Sequence, residues 1–267
     1  MIMSSVSSCP GENYFFTGNV QNILYAIREV TPTMCIAGGA VLAEALYRVG
    51  HRGSDLFLPN DVDIFIPAWT GSRQFWKIDD LNAYLEQTFS FLFTKGFEVK
   101  DVRRKFQQRE DDEEEHGMPT YGKACIFSII EFQVKIHQPQ PAVPIDKDVT
   151  YQLIFVKDFP KVNQTFAESV VSRFDFNVVR GVYNVQNQRI YFPTEDAYNI
   201  SISDFLQEKV FLSYIETSNK NSLRLRKPKY EQRGFTFGGF VMYGVWFYVP
   251  AYRRLAPSRR RGGRARR

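Results

Sequence analysis

The chain has 267 residues, 44% of them hydrophobic and 24 of them Phe, which excludes an unfolded chain and supplies core material for one large domain or two small ones. Three widely spaced cysteines, Cys9, Cys35 and Cys125, exclude a disulfide framework and point to a reducing compartment, cytoplasm or nucleus. The net charge of +5 comes from the end of the chain: residues 251–267 hold eight arginines and no acids, leaving 26 basic against 29 acidic residues, or −3, in residues 1–250.

No charged stretch followed by an apolar run opens the chain, so no secretory signal is expected, and residues 1–18 read as an N-terminal extension. From Asn19 to Val30 the spacing of Val20, Ile23, Leu24 and Ile27 predicts a helix with one apolar face. Thr31-Pro32-Thr33 stops it, and Met34 to Ala37 is a short buried strand. Gly38-Gly39 then opens a second helix, Ala40 to Val49, with Val41, Leu42, Ala45, Leu46 and Val49 as its stripe. Glycines at such a point let backbone N–H groups approach a phosphate at the helix N-terminus.

After a loop rich in Gly, Ser, Asp and Pro comes Asn60-Asp61-Val62-Asp63-Ile64-Phe65-Ile66. On a strand, Asp61 and Asp63 share one face and Val62, Ile64 and Ile66 the other, with the two acids about 6.6 Å apart along the backbone. Both carboxylates can then reach one divalent cation; Mg²⁺ takes one or two carboxylates plus phosphate oxygens, and Mn²⁺ suits the same oxygen donors. A solvated strand face is the plain alternative, although Phe65 on the same face argues for partial burial.

Residues 79–95 predict a third helix, with Gly96 as its cap. Strands are expected at Phe97–Phe106, Tyr121–Val134, Tyr151–Val156, Ser172–Tyr183 and Arg189–Phe192, then a helix over 194–216. The six consecutive acids Glu110 to Glu115 read as a solvated loop, and the three scattered histidines give no zinc site. In Ser172 to Arg180, Phe174, Phe176 and Val178 alternate with Arg173, Asp175 and Asn177, so Asp175 falls on a polar strand face. It either completes a three-carboxylate site, as metal ligand or general base, or is an ordinary solvent-facing acid. The fold class is α/β (α+β), a mixed sheet flanked by helices.

Gly38-Gly39, Asp61-Val62-Asp63 heading an apolar strand, and the distant Asp175 together resemble the DNA polymerase β-type nucleotidyltransferase superfamily. The likeness is nearer to small nucleotidyltransferase-like proteins of bacteriophages and large DNA viruses. It includes Gln152-Leu153-Ile154-Phe155, Arg173-Phe174-Asp175-Phe176, and Lys229-Tyr230 followed by Arg233-Gly234-Phe235, and covers roughly residues 20–240. The resemblance implies a nucleotidyltransferase-like domain over 19–200, with a C-terminal helical and apolar segment, 201–250, packed on it. It also implies transfer of a nucleoside monophosphate from a nucleoside triphosphate to a hydroxyl. Asp61, Asp63 and Asp175 would hold Mg²⁺ or Mn²⁺, and Gly38 and Gly39 would cradle the β- and γ-phosphates. The alternatives are a non-catalytic nucleic-acid-binding protein that keeps the fold, and a glycosyltransferase, which also uses Asp-x-Asp on a diphosphate.

Two basic features remain. Arg224-Leu225-Arg226-Lys227-Pro228-Lys229, with Arg233 beyond, can grip a triphosphate, bind an RNA or DNA acceptor, or be plain solvated surface; Lys227, Lys229 and Arg233 are its candidate contacts. Arg259, Arg260 and Arg261 lie in the tail 251–267, whose composition predicts disorder and either nucleic-acid contact, nuclear targeting or simple solubilisation. Phe235 to Val249 is apolar but spans only 15 residues against the roughly 20 of a membrane helix, so a strand pair or buried segment is expected, with no stable membrane insertion.

Overall fold

The structure is a computed structural model, and it describes residues 14–48, 56–69, 74–107, 125–136, 149–157, 160–174, 176–192, 209–210, 220–233, 235–237, 239–242 and 245–248. The architecture is mixed α/β, with a seven-stranded mixed sheet and, among the described residues, five α-helices. The sheet runs β3 (Phe97–Gln107), β4 (Ile126–Ile136), β5 (Thr150–Val156), β2 (Asp61–Pro67), β1 (Cys35–Ala37), β6 (Val182–Asn184), β7 (Arg189–Tyr191). Its pairings are antiparallel except for the central one, where β2 and β5 run parallel.

Helix α1 (Gly18–Val30) buries Val20, Ile23, Leu24 and Ile27, the stripe its periodicity predicts. Helix α2 (Gly39–Arg48) follows β1 directly. Helix α3 (Ile78–Thr94) starts where the Asp80 carboxylate accepts from the Lys77 backbone N–H at 2.7 Å. It covers one face of the sheet through aromatic contacts: Tyr84 against Phe155, and Phe89 against Phe132, which stacks on Tyr151. Alternation puts Val62, Ile64 and Ile66 on that same covered face and turns Asp61 and Asp63 to the other. No helix among the described residues is long and apolar enough to cross a membrane.

A buried polar anchor fixes the start of the body. The wholly buried Glu44 carboxylate of α2 accepts from the backbone N–H groups of Tyr14, Phe15 and Phe16 at 3.0, 2.7 and 3.3 Å. Its second oxygen pairs with Arg48 at 2.8 Å, and Arg48 in turn donates to the Gln188 carbonyl at 2.6 Å. One carboxylate therefore ties residues 14–16, α2 and the β6–β7 turn together.

Two expectations need correction. The strand expected over Ser172–Tyr183 is instead a turn that follows helix α4 (Phe166–Val171), an isolated bridge residue at Phe176, a short 3₁₀ helix at Asn177–Val179, and only then β6. Phe174, Phe176 and Val178 are buried, as the strand reading expects, but the segment belongs to none of the sheets among the described residues. The helix expected over 194–216 contains β8 (Lys209–Val210), which pairs in parallel with β9 (Thr236–Phe237); the rest of that range lies outside the described residues. The basic stretch near residue 225 forms helix α5 (Lys220–Gln232), with Pro228 inside it. The strand pair expected in the apolar C-terminal segment is present as β10 (Gly239–Met242) against β11 (Val245–Tyr248). The acidic run 110–115 and the arginine-rich tail lie outside the described residues.

Candidate functional site

Strand β2 carries the acids at its head, where the burial pattern is alternating: Asp61 and Asp63 half-buried, Val62 and Ile64 buried. Ala37 of β1 sits opposite Asp63, so the chain leaving β1 turns beside that carboxylate. The turning residue is Gly38, with φ +92°, a conformation that side chains strongly disfavour. A Cβ at Gly38 would stand 2.7 Å from the Asp63 Oδ2. Diglycine and carboxylate pair thus meet in space, across a contact only glycine permits. Gly39 stands in more open surroundings, where a Cβ would meet only the Arg233 guanidinium, at 3.8 Å. Gly38→Ala is therefore expected to lower stability by roughly 2 kcal/mol through backbone strain and displacement of Asp63, while Gly39→Ala leaves the melting temperature unchanged. Thermal melts of the two variants check this, and equal melts would contradict the close approach.

Opposite the acids lies α5. Its position is set by Tyr230, buried and packed edge-on against Phe176 and Phe235 at centroid distances of 4.9 and 6.0 Å. Arg226 lies over the Phe176 ring, and Arg233 over the Phe57 ring with its guanidinium carbon 3.8 Å from the centroid. Arg226, Lys229 and Arg233, spaced by three and four residues, make one cationic stripe.

The charges act on each other through space. Burial first, and the Asp61 charge second, push the Asp63 carboxyl up to about 7, while Arg226, Lys229 and Lys105 pull it back. Partial desolvation holds the Lys229 ammonium below its ordinary range, as does Arg233, against the attraction of Asp61 and Asp63. Burial likewise lowers the Arg233 guanidinium, opposed by Tyr230 and Asp61. No ion pair among the described residues joins Lys229 or Arg233 to either carboxylate. The Arg233 Nη1 is buried and accepted by no partner. Asp61 and Asp63 on one wall thus face Lys229 and Arg233 on the other without an ion pair among the described residues.

The sheet continues the polar face sideways. The Gln152 side-chain amide on β5 donates to Asp61 Oδ2 and to Glu131 Oε2 on β4, at 3.4 Å each. Glu131 also pairs with Lys105 of β3.

Of the residues the sequence singled out, the structure brings together Gly38, Gly39, Asp61, Asp63, Lys229 and Arg233. Lys227 is exposed and pairs with Glu231 at 3.7 Å, one turn along α5. Asp175, Arg259, Arg260 and Arg261 lie outside the described residues. No group of three His, Cys, Asp or Glu side chains is placed to hold a metal among the described residues. Sequence reasoning passed over Phe57 and Glu131, and named Arg226 and Gln152 only within longer stretches, without a role of their own. A search for charge at helical spacing would have found Arg226 with Lys229 and Arg233; nothing local marks Phe57. No family model matches the chain, and no curated protein matches it.

Proposed function

We propose that the chain is a metal-dependent nucleotidyltransferase of the DNA polymerase β type. The observation that carries this reading is the buried, unpartnered Arg233 Nη1 beside Gly39, set against Gly38 packed on Asp63. A guanidinium nitrogen held in that state is matched by a phosphate oxygen, which takes charge-assisted hydrogen bonds from Arg. Asp61 and Asp63 would hold Mg²⁺ or Mn²⁺, whose charge offsets that of the triphosphate. Gly38 and Gly39 give the phosphates close access to backbone, and Lys229 and Arg233 neutralise them from the α5 side. The acceptor hydroxyl loses its proton to a base, for which Asp175 is the candidate. Its oxygen then bonds to the α-phosphorus, and the bond to the β-phosphate bridging oxygen breaks to release pyrophosphate. Positioning and charge neutralisation supply most of the acceleration in such a step.

Incubation with each α-labelled nucleoside triphosphate, Mg²⁺ or Mn²⁺ and total RNA or cell extract tests the reading. Label transfer is expected in the wild type, and a fall of about 10²–10³-fold or more in the Asp61→Ala, Asp63→Ala double variant. Equal transfer by both proteins would refute the site. A second reading, a nucleic-acid-binding protein without catalysis, is favoured by the presence of only two grouped carboxylates among the described residues. It predicts no transfer and salt-sensitive nucleic-acid binding that survives in the double variant.

A further inference from the structure

We infer that the acceptor is a single-stranded nucleic acid, held on the open polar face of the sheet between the acid pair and the basic edge strand β3. This rests on the nucleotidyl-transfer reading for the reaction, and on separate residues for the surface. The ladder carries a continuous polar row away from the acids: Asp63 is opposite Gln152, Gln152 opposite Glu131, and Glu131 opposite Arg103. Directly opposed residues on paired strands share a face. Three strand spacings separate β2 from β3, about 14 Å in all.

At the far end the face becomes cationic. Lys100 and Arg103 are register partners of β4 residues on the acid face, and Lys105 reaches Glu131 on that face. Arg103 and Lys105 are exposed. The next cation behaves differently: Arg104 is opposite Ile130, whose side chain belongs to the other face, and donates to Asn82 of α3 at 3.3 Å. Over β3 as a whole, four basic residues stand against two acids, Glu98 and Asp101.

Charged residues and bulges on an edge strand also prevent edge-to-edge pairing, and β3 has register shifts at Lys100/Arg103 and Arg104/Phe106. Edge protection asks for charge on the rim and is indifferent to its face. Here three of the four cations fall on the face that leads to Asp61 and Asp63. That placement fits a phosphodiester backbone crossing the strands, anchored at β3, with its terminal hydroxyl delivered towards the acids. The Gln152 amide, bridging Asp61 and Glu131, is the polar ground it crosses.

Photocrosslinking of the full chain tests this, using a 12-nucleotide single-stranded RNA that carries 4-thiouridine about three nucleotides before its terminal hydroxyl, to match the distance from the acids to β3, and a DNA counterpart with 4-thiothymidine at the same place. Crosslinked peptides are expected from β3, β4 or β5, and the stronger of the two probes identifies the acceptor sugar. Arg103→Ser should cut the yield at least fivefold and make the salt dependence of binding shallower by about 0.7 in log–log slope. Arg104→Ser, an identical charge change on the other face, should leave both unchanged. Crosslinks confined to α5 or the arginine-rich C-terminal segment would overturn the proposal, as would equal losses in the two variants. Equilibrium binding of labelled triphosphate with Mg²⁺ separates the two readings. Arg103→Ser should retain it, whereas a wild type that lacks it fails the nucleotidyl-transfer reading whatever the crosslinks show.

Discussion

Asp63→Asn is expected to yield a protein that is more stable than the wild type without metal at pH 8, and inactive. The folded protein raises the Asp63 carboxyl to about 7, by burial and by the neighbouring Asp61 charge. In the unfolded chain an aspartate titrates near 3.9. Between those values the folded state binds the extra proton, so stability falls as pH rises. The contribution of this group is fully present below about pH 4 and is lost as pH passes through the folded value near 7. Asparagine stays neutral throughout and removes the loss. The gain at pH 8 is roughly 1–3 kcal/mol, or about 2–8 °C in melting temperature, and it shrinks at pH 5. Saturating Mg²⁺ should stabilise the wild type and not the variant. A variant less stable than the wild type at pH 8 would mean that Arg226, Lys229 and Lys105 already balance the carboxylate.

Glu44→Ala should be the most damaging single change in the core. It leaves the Arg48 side chain, 2% exposed, without its counter-charge, and deprives the N–H groups of Tyr14, Phe15 and Phe16 of their acceptor. Breaking a buried pair by removing one partner costs about 3–5 kcal/mol. Against a typical total of about 5–15 kcal/mol, that is a large fraction of the stability of the molecule. Urea unfolding followed by tryptophan fluorescence measures it. Glu44→Leu combined with Arg48→Met should recover part of the loss, because no charge is then left buried. A loss below about 1 kcal/mol for the single variant would show that residues 14–16 are not held through Glu44.

The first half of the sheet was legible because its elements obey one period at a time. Val20, Ile23, Leu24 and Ile27 repeat at helical spacing, and Asp61 to Ile66 alternate at strand spacing, so tertiary packing had only to agree with them. The two glycines and two acids were readable as chemistry, but their meeting depends on the antiparallel register of β1 against β2, which no local pattern encodes. Around Phe174 the same reasoning failed, because a turn running into a 3₁₀ helix also buries Phe174, Phe176 and Val178. A better signal stood just upstream. Thr165 and Glu168 form a capping box, with N–H to side-chain distances of 2.6 and 3.2 Å, and announce α4. Helix α5 was illegible as a helix for another reason. It is largely polar and contains Pro228, and among its described side chains Tyr230 is the buried one.

The position of α5 has a consequence for the order in which the molecule assembles. Synthesis delivers the sheet strands β1 to β7 well before the cations at 226, 229 and 233. The parallel β2–β5 pairing uses only residues up to 156, whereas the wall opposite Asp63 is supplied by residues 226–233. The cationic stripe faces the acids through the seat of Tyr230 against Phe176, so the two walls are joined by contacts between segments far apart in the chain.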